Sequence, residues 1–417
     1  MKRYDSYKDS GVKWIGEIPS HWKVKTLRSF LRIISDKGHP KEQLLSVVRE
    51  QGVIIRNTVS KDENHNFIPD DLRGYKLVRE GQFVINKMKS WQGSYAVSNY
   101  QGIVSPAYYT CDLRFDNKEF FNIAIRSKAY VPFFSQYSKG IRVGQWDLDP
   151  INIKKIPFFL PPLSEQRAIV SFLDTELGKI DTYMDKEQQL IERLKELKQS
   201  LIACAVTHGI NPNVKMKPSG IDWIGEIPEH WKVNKIRSLF RERREKVSDK
   251  EWTALSVSKD GILPQLQTAV KTDNGDNRKK VCQGDFVVNS RSDRKGSCGF
   301  SNYDGSVSLI NIVLKPINVV GQFYHYLFRS NDYIEEFYKN GRGIVADLWT
   351  TRYSEMRNIY IPVPPASEQR TIVGYLQDKT SKIDKLISEK TREMEYMKEL
   401  RQRIISDAVT GKIDVRS

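Results

Sequence analysis

Cysteine is scarce in this chain: four residues in 417, at positions 111, 204, 282 and 298. They form no Cys-x-x-Cys pair and have no histidine at ligand spacing. That excludes a disulfide framework or a zinc finger and leaves reduced thiols as the expectation. Histidine is nearly as rare: six residues with no His-x-x-x-His pattern, so the sequence holds no recognisable metal cluster. No apolar run reaches the roughly 18–20 residues of a membrane span. The polar opening Met1-Lys-Arg-Tyr-Asp-Ser-Tyr-Lys8 does not read as a secretory signal. The expectation is a cytoplasmic protein with no membrane partner. Also missing are a Gly-x-x-x-x-Gly-Lys-Ser/Thr phosphate loop and a strand followed by a Gly-x-Gly turn. There is no Asn/Asp-Pro-Pro-Tyr/Phe segment of the amino-methyltransferase kind, of which Ser105-Pro-Ala-Tyr108 is a distant echo, and no nuclease-like Asp…Glu-x-Lys set. The sequence predicts a chain that binds no cofactor or metal of its own and catalyses nothing.

What the chain does have, it has twice. Asp9-Ser-Gly-Val-Lys-Trp-Ile-Gly-Glu-Ile-Pro-Ser-His-Trp-Lys-Val24 returns as Pro218-Ser-Gly-Ile-Asp-Trp-Ile-Gly-Glu-Ile-Pro-Glu-His-Trp-Lys-Val233, shifted by 209 positions. Pro161-Pro-Leu-Ser-Glu-Gln-Arg167 returns as Pro364-Pro-Ala-Ser-Glu-Gln-Arg370, shifted by 203. Two copies of one module are implied, the second about six residues shorter between these landmarks. Net charge is +16, unevenly placed. Segments 164–208 and 367–410 together carry 15 basic and 16 acidic residues, so the remainder carries +17. Balanced helices and basic domains suit a module that faces a polyanion.

Each copy repeats one grammar. An aromatic opening (Trp14 and Trp22; Trp223 and Trp231) leads into a basic amphipathic stretch at 24–34 or 233–241. Short β-like runs follow, Leu44-Leu-Ser-Val-Val48, Gln82-Phe-Val-Ile-Asn86 and Gly102-Ile-Val-Ser105. Their counterparts are Ala254-Leu-Ser-Val-Ser258, Asp285-Phe-Val-Val-Asn289 and Ser306-Val-Ser-Leu309. Gly, Asn, Asp and Ser clusters separate them. One or two helices come next, at 118–130 and 321–339. The fold class is α+β: two duplicated globular domains with small curved sheets, at 1–163 and 211–366.

Each domain is followed by a long helix, at 164–210 and at 367–417 including a tail. Pro161-Pro162 and Pro364-Pro365 hold the chain extended before it. Ser164 and Ser367 are predicted N-caps, with Glu165 and Glu368 at the positive end of the dipole. Apolar residues then recur at three and four. They are Ile169, Leu173, Ile180, Leu190, Leu194, Leu197 and Leu201 in the first helix, and Ile372, Leu376, Ile383, Leu386, Met397, Leu400 and Ile404 in the second. A stripe that narrow needs a partner, and the twin helix is the expected one, in an antiparallel coiled coil that holds the domains apart. Gly178 and Gly374 should each cost about 1 kcal/mol in a helix interior, and mark either a close approach or a bend.

Candidate DNA readers lie where the copies keep a frame and exchange its contents. Asn86-Lys-Met-Lys-Ser-Trp-Gln-Gly93 faces Asn289-Ser-Arg-Ser-Asp-Arg-Lys-Gly296. Asn86 and Asn289 recur. Between the ends stand Lys87, Lys89 and Gln92 in one copy, and Arg291, Arg294 and Lys295 in the other. Arginine grips guanine O6/N7, glutamine pairs with adenine N6/N7, and lysine more often neutralises phosphate. A second pair is Gly140-Ile-Arg-Val-Gly-Gln-Trp146 and Gly343-Ile-Val-Ala-Asp-Leu-Trp349. Arg142, Gln145, Arg342 and Arg352 are its contact candidates, while Trp146 and Trp349 are expected in core or frame. His21 and His230 read as structural. Arg49, Asn57, Arg278, Lys279 and Lys280 fall where the shift between copies changes, on loops read as divergent.

The Trp-Ile-Gly-Glu-Ile-Pro-x-His-Trp openings, the Pro-Pro-x-Ser-Glu-Gln-Arg helix starts and the Gly-Gln/Asp-Phe-Val strands at 81–84 and 284–287 give the chain a resemblance. Over essentially its whole length it resembles the specificity subunit of Type I restriction–modification systems. The resemblance implies two target-recognition domains, each reading one half of an asymmetric double-stranded DNA site across a nonspecific spacer. It implies a non-enzymatic chain that docks two methyltransferase subunits, with S-adenosylmethionine bound on those partners, and motor–nuclease subunits in a full complex. It assigns the long helices to pairing and docking. A coiled-coil scaffold that does not bind DNA is the alternative reading.

Overall fold

The computed structural model describes residues 2–56, 68–140, 146–265, 275–343 and 349–416. The chain divides into two compact units, Met1–Glu187 with Arg392–Ser417, and Gln188–Thr391.

In the first unit the strand rich in β-branched and aromatic residues, Phe83–Asn86, lies inside a four-stranded antiparallel sheet. The order is Leu31–Ile34, Tyr108–Leu113, Phe83–Asn86, Tyr95–Val97. All four residues of Phe83–Asn86 are buried, because both faces of the strand are covered. Side chains alternate between faces: Phe83 and Ile85 enter the large core that holds Phe120, Phe121 and Phe134. Val84 turns to a smaller core with Leu45, Val47, Val53, Val78 and Val104. The first face is covered by helices Lys118–Arg126 and Val131–Tyr137, the second by the hairpin Leu45–Val48 with Gly52–Ile55.

The second unit repeats this arrangement. The order there is Phe240–Glu242, Asn311–Pro316, Phe286–Asn289, Cys298–Phe300. Phe286 and Val288 face one core, Val287 the other, and the helices are Gly321–Phe328 and Asn331–Lys339. Gly102 and Gly305 recur because backbone passes close by. A Cβ at Gly102 would strike the Gln43 carbonyl, and one at Gly305 the Thr253 carbonyl.

The long helices run Leu163–Thr207 and Ala366–Val409. Both start earlier than the sequence suggests. The amides of Glu165 and Gln166 already donate to the Pro162 carbonyl, and that of Gln369 to Pro365. Ser164 and Ser367 therefore sit inside the first turn instead of capping it. The helices meet antiparallel within each unit. In the first, Leu173 and Ile180 share a core with Ile404, Ile405, Ala408 and Val409. Asp181 pairs with Arg401 at 3.2 Å, and the Tyr183 hydroxyl donates to Glu393 at 3.1 Å. In the second, Ile202, Ala205 and Val206 meet Ile372, Val373 and Leu376, with Lys198 2.6 Å from Asp384.

The predicted seam is only partly the observed one. Leu173, Ile180, Leu376 and Ile404 are buried, and Leu194, Leu201, Ile383 and Met397 are half-buried. Leu190, Leu197, Leu386 and Leu400 stand exposed, at 37, 53, 37 and 41%. Those four leucines mark a rim of the apolar stripe, while Ile191 and Ile202 turn inward. A straight helix drifts about 20° per heptad against a seven-residue repeat, so spacing alone does not locate its buried edge.

Gly178 and Gly374 mark no close approach: a Cβ at either would meet nothing within 4 Å. Gly178→Ala and Gly374→Ala are each expected to stabilise by about 1 kcal/mol, seen as slower hydrogen exchange in the surrounding helical amides. Unchanged exchange would mean that the glycines have a role beyond helix propensity.

The two repeated motifs are fastened to each other. Glu165, 3% exposed, accepts from the Trp22 indole at 3.1 Å and lies 2.8 Å from His21 Nε2. Glu368 holds Trp231 at 3.0 Å and His230 at 2.7 Å. Each opening motif also receives the end of the other copy's helix. Gly411, in the left-handed region at φ 73°, packs on Pro19 and Trp22, and Gly209, at φ 78°, packs on Pro228 and Trp231. The recurrence of Trp, His and Glu in both motifs is thus a structural joint. Among the described residues no helix is long and apolar enough to cross a membrane.

Candidate nucleic-acid interface

Two segments that the sequence offers separately come together in each unit. In the second, the loop after Phe286–Asn289 meets the residues around Thr350. The Ser292 amide donates to the Trp349 carbonyl at 2.9 Å and the Thr351 amide to the Ser290 carbonyl at 2.9 Å. Arg291 and Arg342 both form β-bridges with Thr350. In the first unit the Leu148 amide donates to Lys87 at 3.2 Å, and the rings of Trp91 and Trp146 lie 5.1 Å apart. Trp146 is thus frame, as expected, whereas Trp349 is exposed at 36% and contributes its backbone.

The candidates sort by environment. Asn86 and Asn289 are buried, at 6 and 8%, and their amides are used internally. Asn86 donates to the Tyr108 hydroxyl at 3.1 Å, and Asn289 accepts from the Arg291 amide at 3.1 Å. They shape the loop and are withdrawn from the contact set. Lys87 is held by Asp147 at 2.8 Å, which raises its pKa. Lys89 is exposed and Gln92 half-buried. Gln92 lines a cleft of about 680 Å³ with Arg49 and Arg126, and Lys295 lines one of about 580 Å³ with Lys259 and Arg329. Lys295 pairs with Glu335 at 2.9 Å. Arg291 and Arg294 are exposed, 3.4 and 3.8 Å from Asp293. Arg342 is 85% exposed and 3.9 Å from Glu355, and Arg352 is exposed beside it. Arg142, Gln145 and Asn57 lie outside the described residues.

Of the residues read as divergent, Arg278 is buried at 5% and donates to Ser306 at 2.9 Å, so it belongs to the core. Lys280 pairs with Glu245 at 3.0 Å. Lys279 lies in a paired strand and not on a divergent loop, and it has a counterpart in the first copy. Lys279 faces Val307 across its sheet as Lys76 faces Val104, both at the 203-residue shift. Each ammonium donates to the carbonyl at the start of the same long strand, Lys76 to Tyr108 at 2.6 Å and Lys279 to Asn311 at 2.7 Å. Burial, with the charges of Lys37 and Lys87, lowers the pKa of Lys76. Burial also lowers that of Lys279, against the pull of Glu242. The signal was present in Lys76-Leu-Val78 and Lys279-Lys-Val281, once aligned from the following Gly-Gln/Asp-Phe-Val strands.

Comparison with known proteins follows the same lines. The chain is 25% identical, over 99% of its length and 98% of the relative's, to a putative type I restriction enzyme MjaX specificity subunit of Methanocaldococcus jannaschii. It is 21% identical, over 95% of its length and 90% of the relative's, to the type I restriction enzyme StySPI specificity subunit of Salmonella potsdam. Among solved structures, a chain from work on assembly and conformational transition of the type I R-M system superposes with a TM-score of 0.66. That match has 15% identity and covers 95% of this chain and 99% of that one. No family model matches.

Proposed function

From the premise that this chain is a specificity subunit of a Type I restriction–modification system, we propose that it reads a bipartite, asymmetric DNA site, one half per copy, and docks two adenine methyltransferase subunits. Its coarser role is that of a non-catalytic DNA sequence-recognition subunit. The observation that carries the finer reading is the contrast between copies. Fold, joint and buried loop frame are the same, while the side chains exposed on that frame differ: Met88 and Lys89 against Arg291, Asp293, Arg294 and Lys295. A duplicated scaffold with exchanged surface chemistry is what two different half-sites require.

The excess positive charge of the domains supplies the salt-dependent part of binding. The exposed Leu190, Leu197, Leu386 and Leu400 leave apolar surface on the helices for methyltransferase subunits to cover. S-adenosylmethionine belongs to those partners, motor–nuclease subunits complete the assembly when present, and the site of action is the cytoplasm. Base-resolution methylome sequencing of the host, with the gene and without it, tests this. Deletion is expected to erase one bipartite methyladenine motif and leave all others. A motif that persists after deletion, or a lost motif with a single contiguous half, would overturn the proposal.

A further inference from the structure

Lys279 opens onto a pocket of about 500 Å³ lined also by Arg291, Arg352, Tyr353, Leu309 and Ile310. It joins three stretches of sequence: Arg278–Val281 (the central strand of a three-stranded sheet), the loop after Phe286–Asn289, and the start of the short helix Tyr353–Met356. Position by position, the 203-residue shift places Lys76, Met88, Asp149, Pro150, Pro106 and Ala107 in the first copy. Only the lysine is the same in both. Asp149 precedes the short helix Pro150–Ile153 just as Arg352 precedes Tyr353–Met356, so the correspondence is structural as well as numerical.

A residue kept while everything around it changes serves something that the two half-sites have in common. In DNA that is the phosphate backbone, since the bases are what differ. The lysines are also set in place for the task. Each is half-buried and tied to a main-chain carbonyl, so its ammonium is held and partly stripped of water before any ligand arrives. In the first copy Lys37 and Lys87 add like charge, and the Lys76 ammonium stands 5.8 Å from the Tyr109 ring. Like charges gathered in a half-dry site are relieved by an anion. In the second copy Glu242 stands 3.7 Å from Lys279 where the first copy has Ile33, so a phosphate there competes with an internal carboxylate. The grip at Lys279 is expected to be the weaker of the two.

We propose that Lys76 and Lys279 are twin phosphate anchors, each fixing the DNA backbone beside the copy-specific side chains that read bases. This rests on the DNA-recognition reading above and adds to it a division of labour. Lysine gives register at either half-site. Arg291 and Arg352, with the exposed Leu309 and Ile310, give the second copy its preference, and Asp149 and Met88 shape that of the first. Guanine at the positions contacted by arginine, and a thymine methyl against the leucine and isoleucine, fit the chemistry of the second pocket.

The test is salt-dependent binding by the full chain, assembled with its methyltransferase subunits, to a 30-bp duplex carrying the methylome-defined site and to a scrambled duplex. Lys76→Gln and Lys279→Gln keep a donor for the carbonyl but lose the charge. Each is expected to flatten the slope of log affinity against log salt by about one, on both duplexes alike, the double variant by about two. Lys76→Arg and Lys279→Arg should keep the parent slope. A Gln variant that retains its thermal transition and the parent slope would overturn the anchor assignment while leaving the recognition reading intact. A parent complex that binds neither duplex with salt dependence would overturn the recognition reading itself.

Discussion

Glu165→Ala is expected to destabilise the first unit by about 3 kcal/mol, raising hydrogen exchange near Trp22 and in the first turns of Leu163–Thr207 roughly a hundredfold. The reason is what the alanine would abandon. Trp22 is fully buried and its indole N–H has Glu165 as acceptor, His21 shares the same oxygen, and Arg416 lies 3.7 Å from the other. Removing the carboxylate leaves a buried donor unpaired and a guanidinium with one acid, Asp414, in place of two. Glu165→Gln keeps an acceptor for the indole and should cost about 1 kcal/mol. The equivalent Glu368 is 24% exposed, so water replaces part of what Glu368→Ala removes and the loss there should be smaller. Equal effects at the two glutamates would mean that burial does not set the strength of the joint. Because the chain has two units, exchange mapped by residue is the proper readout; a single melting midpoint would blend them.

Much of this architecture was legible because it repeats. The duplication marked the elements that both copies share. The Phe-Val-hydrophobic-Asn runs marked the buried strands, and the Pro-Pro pairs marked the helix starts to within a residue or so. Burial within those elements was harder to see. Leu190 and Leu197 fit an apolar period, yet stand on the solvent side of Ile191, because a period fixes a stripe and not the edge that is covered. Asn86 and Asn289 close the repeated loop frame, and their recurrence signals a role without saying whether each side chain faces out or in. The structure turns both inward. Lys76 and Lys279 escaped notice for the opposite reason. Lysine in a basic chain reads as solvated surface, and the loss of six residues between Gly261 and Lys279, relative to Gly52 and Lys76, hid that they are one position. What aligned them was strand pairing, which a single sequence does not display.

The largest functional effect is expected from giving the second copy the first copy's chemistry at two positions, Arg291→Met with Arg352→Asp. Both side chains are exposed on one pocket wall, and neither holds the fold. Arg291 meets Asp293 at 3.4 Å, a surface pair worth under about 1 kcal/mol, while the loop frame belongs to Asn289, Thr350 and Thr351. Stability should therefore move little. Each arginine bidentate to guanine is worth about 1–3 kcal/mol of discrimination, so losing both should cut preference for the second half-site by roughly 10² to 10⁴. The methylome of a host carrying the double variant should then show the first half of the motif unchanged and the second half degenerate or replaced. Arg291→Lys is the matching control: it keeps the charge and gives up the planar fork, so it should retain affinity while relaxing the base at a single position. Loss at both halves together would mean that these arginines support binding as a whole, and an unchanged second half would move the reading surface to another part of the domain. Loss confined to the second half separates base choice from backbone grip, because the anchoring lysines act through salt dependence and the arginines through sequence.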